Sequence, residues 1–127
     1  MKVIILAGGK GTRLAEYTNK IPKPMVKVNG KPIITYIIDH YINYGVSKVL
    51  IAGGYKHTVI KKYFNKNKKK YPFVKVINTG INALTAKRIF KLKKNFKRNE
   101  NFFMTYGDGI SNVNIKKLLN YHKKNNK

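Results

Sequence analysis

The sequence has no cysteine, four acidic residues and three arginines in 127 positions. Without cysteine there is no disulfide framework and no thiolate metal site. No apolar run approaches the length that spans a membrane, so no membrane partner is expected. The opening run Val3 to Ala7 breaks into glycine after five residues, too short for the apolar segment of a signal peptide. A cytoplasmic location is therefore expected. The histidines, His40, His57 and His122, are scattered and make no zinc-ligand spacing, so packing or surface roles are expected for them.

What is present is 43% hydrophobic residues, enough for the core of one domain, and a formal net charge of +24. Such a surface suits nucleic acid. The composition argues otherwise: with Arg13, Arg88 and Arg98 set aside, 25 of the 28 basic residues are lysine. Reading bases or gripping phosphates in two-pronged fashion favours the planar fork of arginine. Lysine, asparagine and isoleucine all have A/T-rich codons, so genome composition can supply such a coat. Nucleic acid is not the expected partner. The coat should repel itself and draw in small anions.

Along the chain, Val3–Ala7 reads as a buried strand ended by glycine. Residues 8 to 24 read as loop, with a helical turn around Leu14 to Tyr17, because Pro22 and Pro24 prevent a regular helix. Met25 to Val28 is a short strand closed by the turn signal Asn29-Gly30. Pro32 opens a helix running to Tyr44, and Gly45 stops it. Further strands are expected over Val46 to Ala52, Phe73 to Ile77 and Phe102 to Tyr106, with helices over His57 to Phe64, Ala86 to Phe96 and Val113 to His122. This alternation predicts an α/β fold, Rossmann-like, with a mostly parallel sheet and helices on both faces. Ligands of such sheets collect beyond the carboxyl ends of the strands. Gly8 to Gly11, Gly53-Gly54, Asn78 to Gly80 and Gly107-Asp108-Gly109 all fall at those ends.

Gly8, Gly9 and Gly11 allow a tight turn and close approach of backbone N–H groups to a ligand. Lys10, Arg13 and Lys23 add positive charge, a combination suited to a chain of phosphates. Neither the Walker spacing nor the G-x-G-x-x-G order is present. A plain glycine-rich turn would account for the glycines alone. Thr12-Arg13 and Pro22-Lys23-Pro24 in register favour the phosphate site, and the two prolines would fix the path of Lys23. Taken alone, Pro22-Lys23-Pro24 reads better as a plain proline turn with an exposed lysine. Asp108, flanked by glycines at a strand end, is the candidate Mg²⁺ ligand, with a turn-forming Asp-Gly as the alternative. Glu16, Asp39 and Glu100 need only solvated roles. Tyr106 precedes the proposed metal loop and is placed to line it.

LAGGKGTRL, residues 6 to 14, followed by PKPM, residues 22 to 25, resembles the signature of the sugar-phosphate nucleotidyltransferases. TYGDGISNVNI, residues 105 to 115, and NTGINALTAKRI, residues 78 to 89, resemble the glucose-1-phosphate cytidylyltransferase branch. The resemblance implies an enzyme joining an NTP, here CTP, to a sugar 1-phosphate, here glucose 1-phosphate, with release of pyrophosphate. It implies base and ribose against the backbone of Leu6, Ala7, Gly8 and Gly9, and the triphosphate at Gly11, Thr12 and Arg13. Lys23 would meet the phosphates at the reacting end, with Arg13 and Lys23 as the catalytic cations. Thr85 and Arg88 match residues near the nucleotide, Thr79-Gly80 lies at the same rim, and Asp108 matches the carboxylate that holds Mg²⁺. The nucleophile is already an anion, so no general base is required.

Members of that family are about twice this length. Residues 1–127 match the N-terminal, nucleotide-binding half of the domain, a truncated nucleotidyltransferase fold, as either a fragment or a natural truncation. The stretch before Asn78 is shorter than in the cytidylyltransferase branch it resembles, and Asn112 stands where the pattern of that branch favours aspartate. A half-fold leaves a strand edge uncovered, which invites pairing with a second copy or a complementing C-terminal half. Two other readings remain: an inactive or partner-dependent nucleotide-binding protein, and a lysine-rich nucleic-acid accessory protein.

Overall fold

A computed structural model describes residues 1–12, 16 and 19–125. The expected helical turn over Leu14 to Tyr17 lies outside the described residues apart from Glu16. Four parallel strands form the sheet: β1 (Lys2–Ala7), β4 (Lys48–Gly53), β5 (Val74–Asn78) and β6 (Phe102–Tyr106), in the order β5-β4-β1-β6. Every pairing is parallel, with Ile4 opposite both Leu50 and Met104. β2 (Lys27–Val28) and β3 (Lys31–Pro32) form a separate two-residue hairpin around Asn29-Gly30, both at positive φ.

The uninterrupted apolar character of β1 and β4 follows from burial on both faces. On one face Val3, Ile5, Val49 and Ile51 meet α1 (Ile33–Asn43) through Ile34, Ile37 and Ile38, and α2 (His57–Lys66) through Ile60 and Phe64. Ile115 of α4 (Ile115–Lys124) joins that cluster. On the other face Ile4, Leu6, Leu50 and Ala52 are covered by Leu92, with Ile89 of α3 (Thr85–Lys91) packed alongside. The expected two-faced α/β architecture is thus the observed one.

Several element boundaries differ from expectation. The strand expected over Met25 to Val28 is only Lys27–Val28, because Met25 belongs to a 3₁₀ turn, and the helix from His57 runs on to Lys66. β4 starts at Lys48, because Gly45 at φ 82° turns the chain and leaves Val46 buried before the ladder begins. The helix expected over Ala86 to Phe96 stops at Lys91 and is followed by a single 3₁₀ turn, Lys93–Asn95. Lys87 and Lys91, and Lys91 and Lys94, are like charges at helical spacing, which disfavours continuation. The Asn95 side chain donates to the Leu92 carbonyl at 3.0 Å and so satisfies one released acceptor. The last helix begins at Ile115, two residues later than expected, because Asn114 acts as N-cap and its side chain accepts from the Lys117 N–H at 3.0 Å.

β1 is followed by β4 on one side, while the later β6 returns to its other side. The direction of winding therefore reverses between β1 and β6, and a crevice opens beyond their carboxyl ends.

Candidate functional site

The crevice is a cleft of 540 Å³, within the usual size of a small-molecule site. The end of β1 supplies Leu6, Ala7, Gly8 and Gly9, and the loop continues with Gly11, at φ 64°, and Thr12. Lys23 and Pro24 form a second wall, Tyr106 and Asp108 a third, and Ala83 to Thr85 with Arg88 a fourth. Most of the residues singled out from the sequence thus meet in one cleft. Lys10, Thr79 and Gly80 do not line it, and Arg13 lies outside the described residues.

Local chemistry explains the second and third walls. Lys23–Met25 is a 3₁₀ turn, with Pro22 extended before it and the Met25 N–H donating to the Pro22 carbonyl at 2.8 Å. Pro24 and Met25 are buried, so the turn is anchored by its apolar members and Lys23 is carried outward. After β6, the Gly107 N–H donates to the Leu6 carbonyl at 2.9 Å. A side chain at Gly107 would come within 3.1 Å of the Pro24 ring. Absence of a Cβ thus lets the two loops close together, and the Lys23 ammonium pairs with the Asp108 carboxylate at 2.5 Å. Both side chains remain part-exposed to the cleft.

The fourth wall is organised by Arg88, whose side chain is buried beneath the glycine loop. It donates to the Thr79 hydroxyl at 2.7 Å and to the carbonyls of Gly80 and Gly8 at 2.8 and 2.9 Å. Burial pushes its pKa down from the ordinary value, but a guanidinium stays charged in proteins. Thr85, by contrast, is exposed at the rim. Thr79 is fully buried and bonds the Gly53 carbonyl at 2.7 Å.

The other acidic residues stand elsewhere. Glu100 pairs with Lys2 at 2.9 Å, and burial first, then the nearby Asp39 carboxylate, pushes the Tyr71 phenol pKa up. Glu16 is exposed. Among the described residues no group of three or more histidine, cysteine, aspartate or glutamate side chains could hold a metal. A one-carboxylate site fits Mg²⁺ only where phosphate and water complete the shell, which is the usual arrangement for nucleotide-bound Mg²⁺. His40 sits edge-on to Tyr44 with its Nε2 2.9 Å from the Val113 carbonyl. His57 Nδ1 lies 3.2 Å from the Gly54 carbonyl. Both have packing roles, as expected. No helix among the described residues is long and apolar enough to cross a membrane.

Sequence reasoning missed what binds these loops together. The sequence places Gly54 at the ligand edge without a partner and gives Lys91 no role. A side chain at Gly54 would lie 2.5 Å from an Arg88 nitrogen, and Lys91 Nζ donates to the Thr79 carbonyl at 2.9 Å. The run of glycines at a strand end is the signal that a close approach occurs there. The partner in that approach is a side chain about 80 residues distant in sequence.

The model of the family described as "Nucleotidyl transferase" matches residues 2–127. A probable glucose-1-phosphate cytidylyltransferase of Bacillus subtilis is 38% identical, over 96% of this chain and 56% of its own length. The glucose-1-phosphate cytidylyltransferase of Salmonella typhimurium is 36% identical, over 100% of this chain and 58% of its own. That second match runs over 148 alignment positions, more than the 127 residues of this chain. Among solved structures, HddC from Yersinia pseudotuberculosis complexed with GMP-PN superposes with a TM-score of 0.81 at 29% identity, covering 95% of this chain and 53% of that one. The chain therefore spans little more than half the length of the relatives it matches.

Proposed function

This chain belongs to the nucleotidyl transferase family, and from that premise we propose that it is the nucleotide-binding half of a sugar-phosphate nucleotidyltransferase. The donor is an NTP, read as CTP, and the acceptor a sugar 1-phosphate, read as glucose 1-phosphate. The cytidylyltransferases among the relatives support that choice. The observation that carries the reading is the Lys23–Asp108 pair, 2.5 Å apart in a cleft whose facing wall is the Gly8 to Thr12 loop.

The reaction is an in-line displacement. A phosphate oxygen of the sugar 1-phosphate bonds to the α-phosphorus, the bond from that phosphorus to the bridging oxygen breaks, and pyrophosphate leaves with the electron pair. No proton moves, so the protein's task is to bring two anions together and hold the charge that builds up. The backbone of Leu6 to Gly9 receives base and ribose, and Gly11, Thr12 and Arg13 receive the triphosphate. Lys23 is carried on a turn anchored by Pro24 and Met25, so its ammonium is held against the reacting phosphates at little entropic cost. Thr85 and Arg88 form the far wall of the nucleotide cleft. Asp108 would hold Mg²⁺, which supplies Lewis-acid charge neutralisation on phosphate oxygens.

The acceptor half lies outside these 127 residues, on the same polypeptide or on a complementing one. β6 is an edge strand with exposed Phe102, Met104 and Tyr106, which suits continuation of the sheet there. Calorimetry with CTP and Mg²⁺ tests the nucleotide half directly. Binding should occur, and Arg13→Ala and Asp108→Ala should abolish it. No heat at millimolar nucleotide sinks the reading. A product assay with each NTP and glucose 1-phosphate, on this chain joined to a C-terminal half from the family, tests base and sugar choice.

A further inference from the structure

Arg88 is a buried cation with no acidic partner among the described residues. Its side chain is 6% exposed. The ion pairs among the described residues, Lys2–Glu100 and Lys23–Asp108, do not include it. Its acceptors are instead neutral and come from three loops. One terminal nitrogen faces the Thr79 hydroxyl at 2.7 Å, the Gly80 carbonyl at 2.8 Å and the Gly53 carbonyl at 3.4 Å. The other donates to the Gly8 carbonyl at 2.9 Å and the Ile81 carbonyl at 3.1 Å. Four terminal N–H groups thus all have partners inside the protein. The ends of β1, β4 and β5 converge on one planar group.

The glycines around it are spaced for that group. A Cβ at Gly8 would overlap the guanidinium itself. A Cβ at Gly54 would lie 2.5 Å from the same nitrogen and 2.7 Å from the Gly8 carbonyl. Gly9 differs, since a Cβ there would meet nothing within 4 Å. The Gly8 carbonyl is held twice, by Arg88 and by the Tyr55 N–H at 3.2 Å. In a planar trans peptide the carbonyl of one residue and the N–H of the next point in opposite directions. With the Gly8 carbonyl turned down onto Arg88, the Gly9 N–H is turned the other way.

We propose that Arg88 is a positioning residue for the nucleotide: it fixes the Gly8–Gly9 peptide so that the Gly9 N–H faces the cleft as a donor, while the guanidinium itself touches no ligand. This rests on the nucleotide reading of the cleft. It differs from a direct contact role for Arg88, because the arrangement exists before any ligand arrives. An arginine is needed because only its fork carries enough rigid donors to reach three loops at once. Lysine, a compact ammonium with three donors, cannot hold the five acceptors in their present places.

The test uses ¹⁵N-labelled full chain, followed by amide spectra and by calorimetry with CTP and Mg²⁺. In Arg88→Lys the dispersion of the core amides should persist while the Gly8 and Gly9 resonances move in the free protein. CTP affinity should fall tenfold or more. Gly54→Ala, a position that does not line the cleft, should move the same Gly9 resonance and weaken CTP to a similar extent. Methylguanidinium added to Arg88→Ala should return the Gly9 resonance towards its wild-type position and restore part of the affinity. Should Arg88→Lys unfold, the isosteric Thr79→Val, which removes one acceptor, should give a smaller shift of Gly9 in the same direction. An unmoved Gly9 resonance in a folded Arg88→Lys protein overturns the proposal, whether affinity falls, which would mean direct contact, or holds. If the wild type binds no nucleotide, the functional reading fails with it, whereas a moved Gly9 resonance in the free variant would still establish the clamp.

Discussion

Lys23 and Asp108 neutralise each other at the mouth of the cleft, so each is the other's counter-ion until a ligand replaces it. A part-exposed pair of this kind contributes about 0–1 kcal/mol to stability. Asp108→Asn should therefore leave the melting temperature almost unchanged while removing Mg²⁺-dependent nucleotide binding in calorimetry. Lys23→Met should behave differently. Charge held on the reacting phosphates is worth roughly a factor of 10²–10³ in rate, so turnover by the completed enzyme should fall by that order, with a smaller change in nucleotide affinity. Glu100 gives a pH prediction of its own. Its hydrogen bond from Lys2, then that from the Lys97 N–H, holds its carboxyl below the ordinary value. The folded state thus resists protonation relative to the unfolded one. The stabilisation is present above the ordinary carboxylate range and is lost as pH falls through the lowered value. Melting temperature measured from neutral pH down into that range should fall, and Glu100→Gln should flatten the fall. Of these residues, the placing of Asp108 and Lys23 at one strand-end cleft was legible in the sequence, from the glycines around Asp108 and from Pro22-Lys23-Pro24 in register with the glycine loop. The clamp formed by Arg88 was not legible, because its acceptors are main-chain carbonyls that carry no residue identity.

The elements of the core were legible for a related reason: β1 and β4 are short apolar runs ended by glycine, and α1 and α2 repeat their buried residues at helical spacing. Boundaries were less so, and α4 explains why. Its apolar pattern can be started at Val113, yet the capping bond of Asn114 places the start two residues on. The helix packs on the core through Ile115 and Leu119, while Leu118 and Tyr121 are exposed. An element so thinly attached depends on its cap. Asn114→Ala should cost about 1 kcal/mol, visible as faster amide exchange over 115–124 before any change in the core strands. β6 is thinly protected in another sense. Its outer edge has no strand beside it among the described residues, and Phe102, Met104 and Tyr106 are exposed on one face of the strand next to that edge. Unpaired, apolar edges recruit further strands. The chain by itself should self-associate in sedimentation velocity, and Met104→Lys, which places a charge on the exposed face of that edge strand, should shift it towards monomer.

Across the whole molecule the dominant quantity is the charge of +24, and it acts in opposite directions on folding and on binding. Like charges crowded onto a small domain repel, and compaction worsens the repulsion. Added salt shortens the Debye length from about 30 Å at 0.01 M to about 8 Å at 0.15 M. Raising NaCl from low concentration to physiological strength should therefore stabilise the free chain by roughly 1 kcal/mol, about 4–5 °C in melting temperature for a domain of this size. The same screening weakens the pull of the lysine coat on a polyphosphate. A ligand that binds the folded state raises stability by RT ln(1 + [L]/Kd), so the extra melting temperature conferred by CTP and Mg²⁺ should shrink over the same salt series. Thermal melts with and without nucleotide, run from 10 mM to 300 mM NaCl, should give two curves that converge as salt rises. Non-specific nucleic-acid binding would weaken far more steeply with salt and would survive Arg13→Ala, which the nucleotide effect should not. Parallel curves would mean that the coat plays no part in drawing the nucleotide in, leaving the Gly8 to Thr12 loop, Lys23 and the clamp beneath them to account for its affinity.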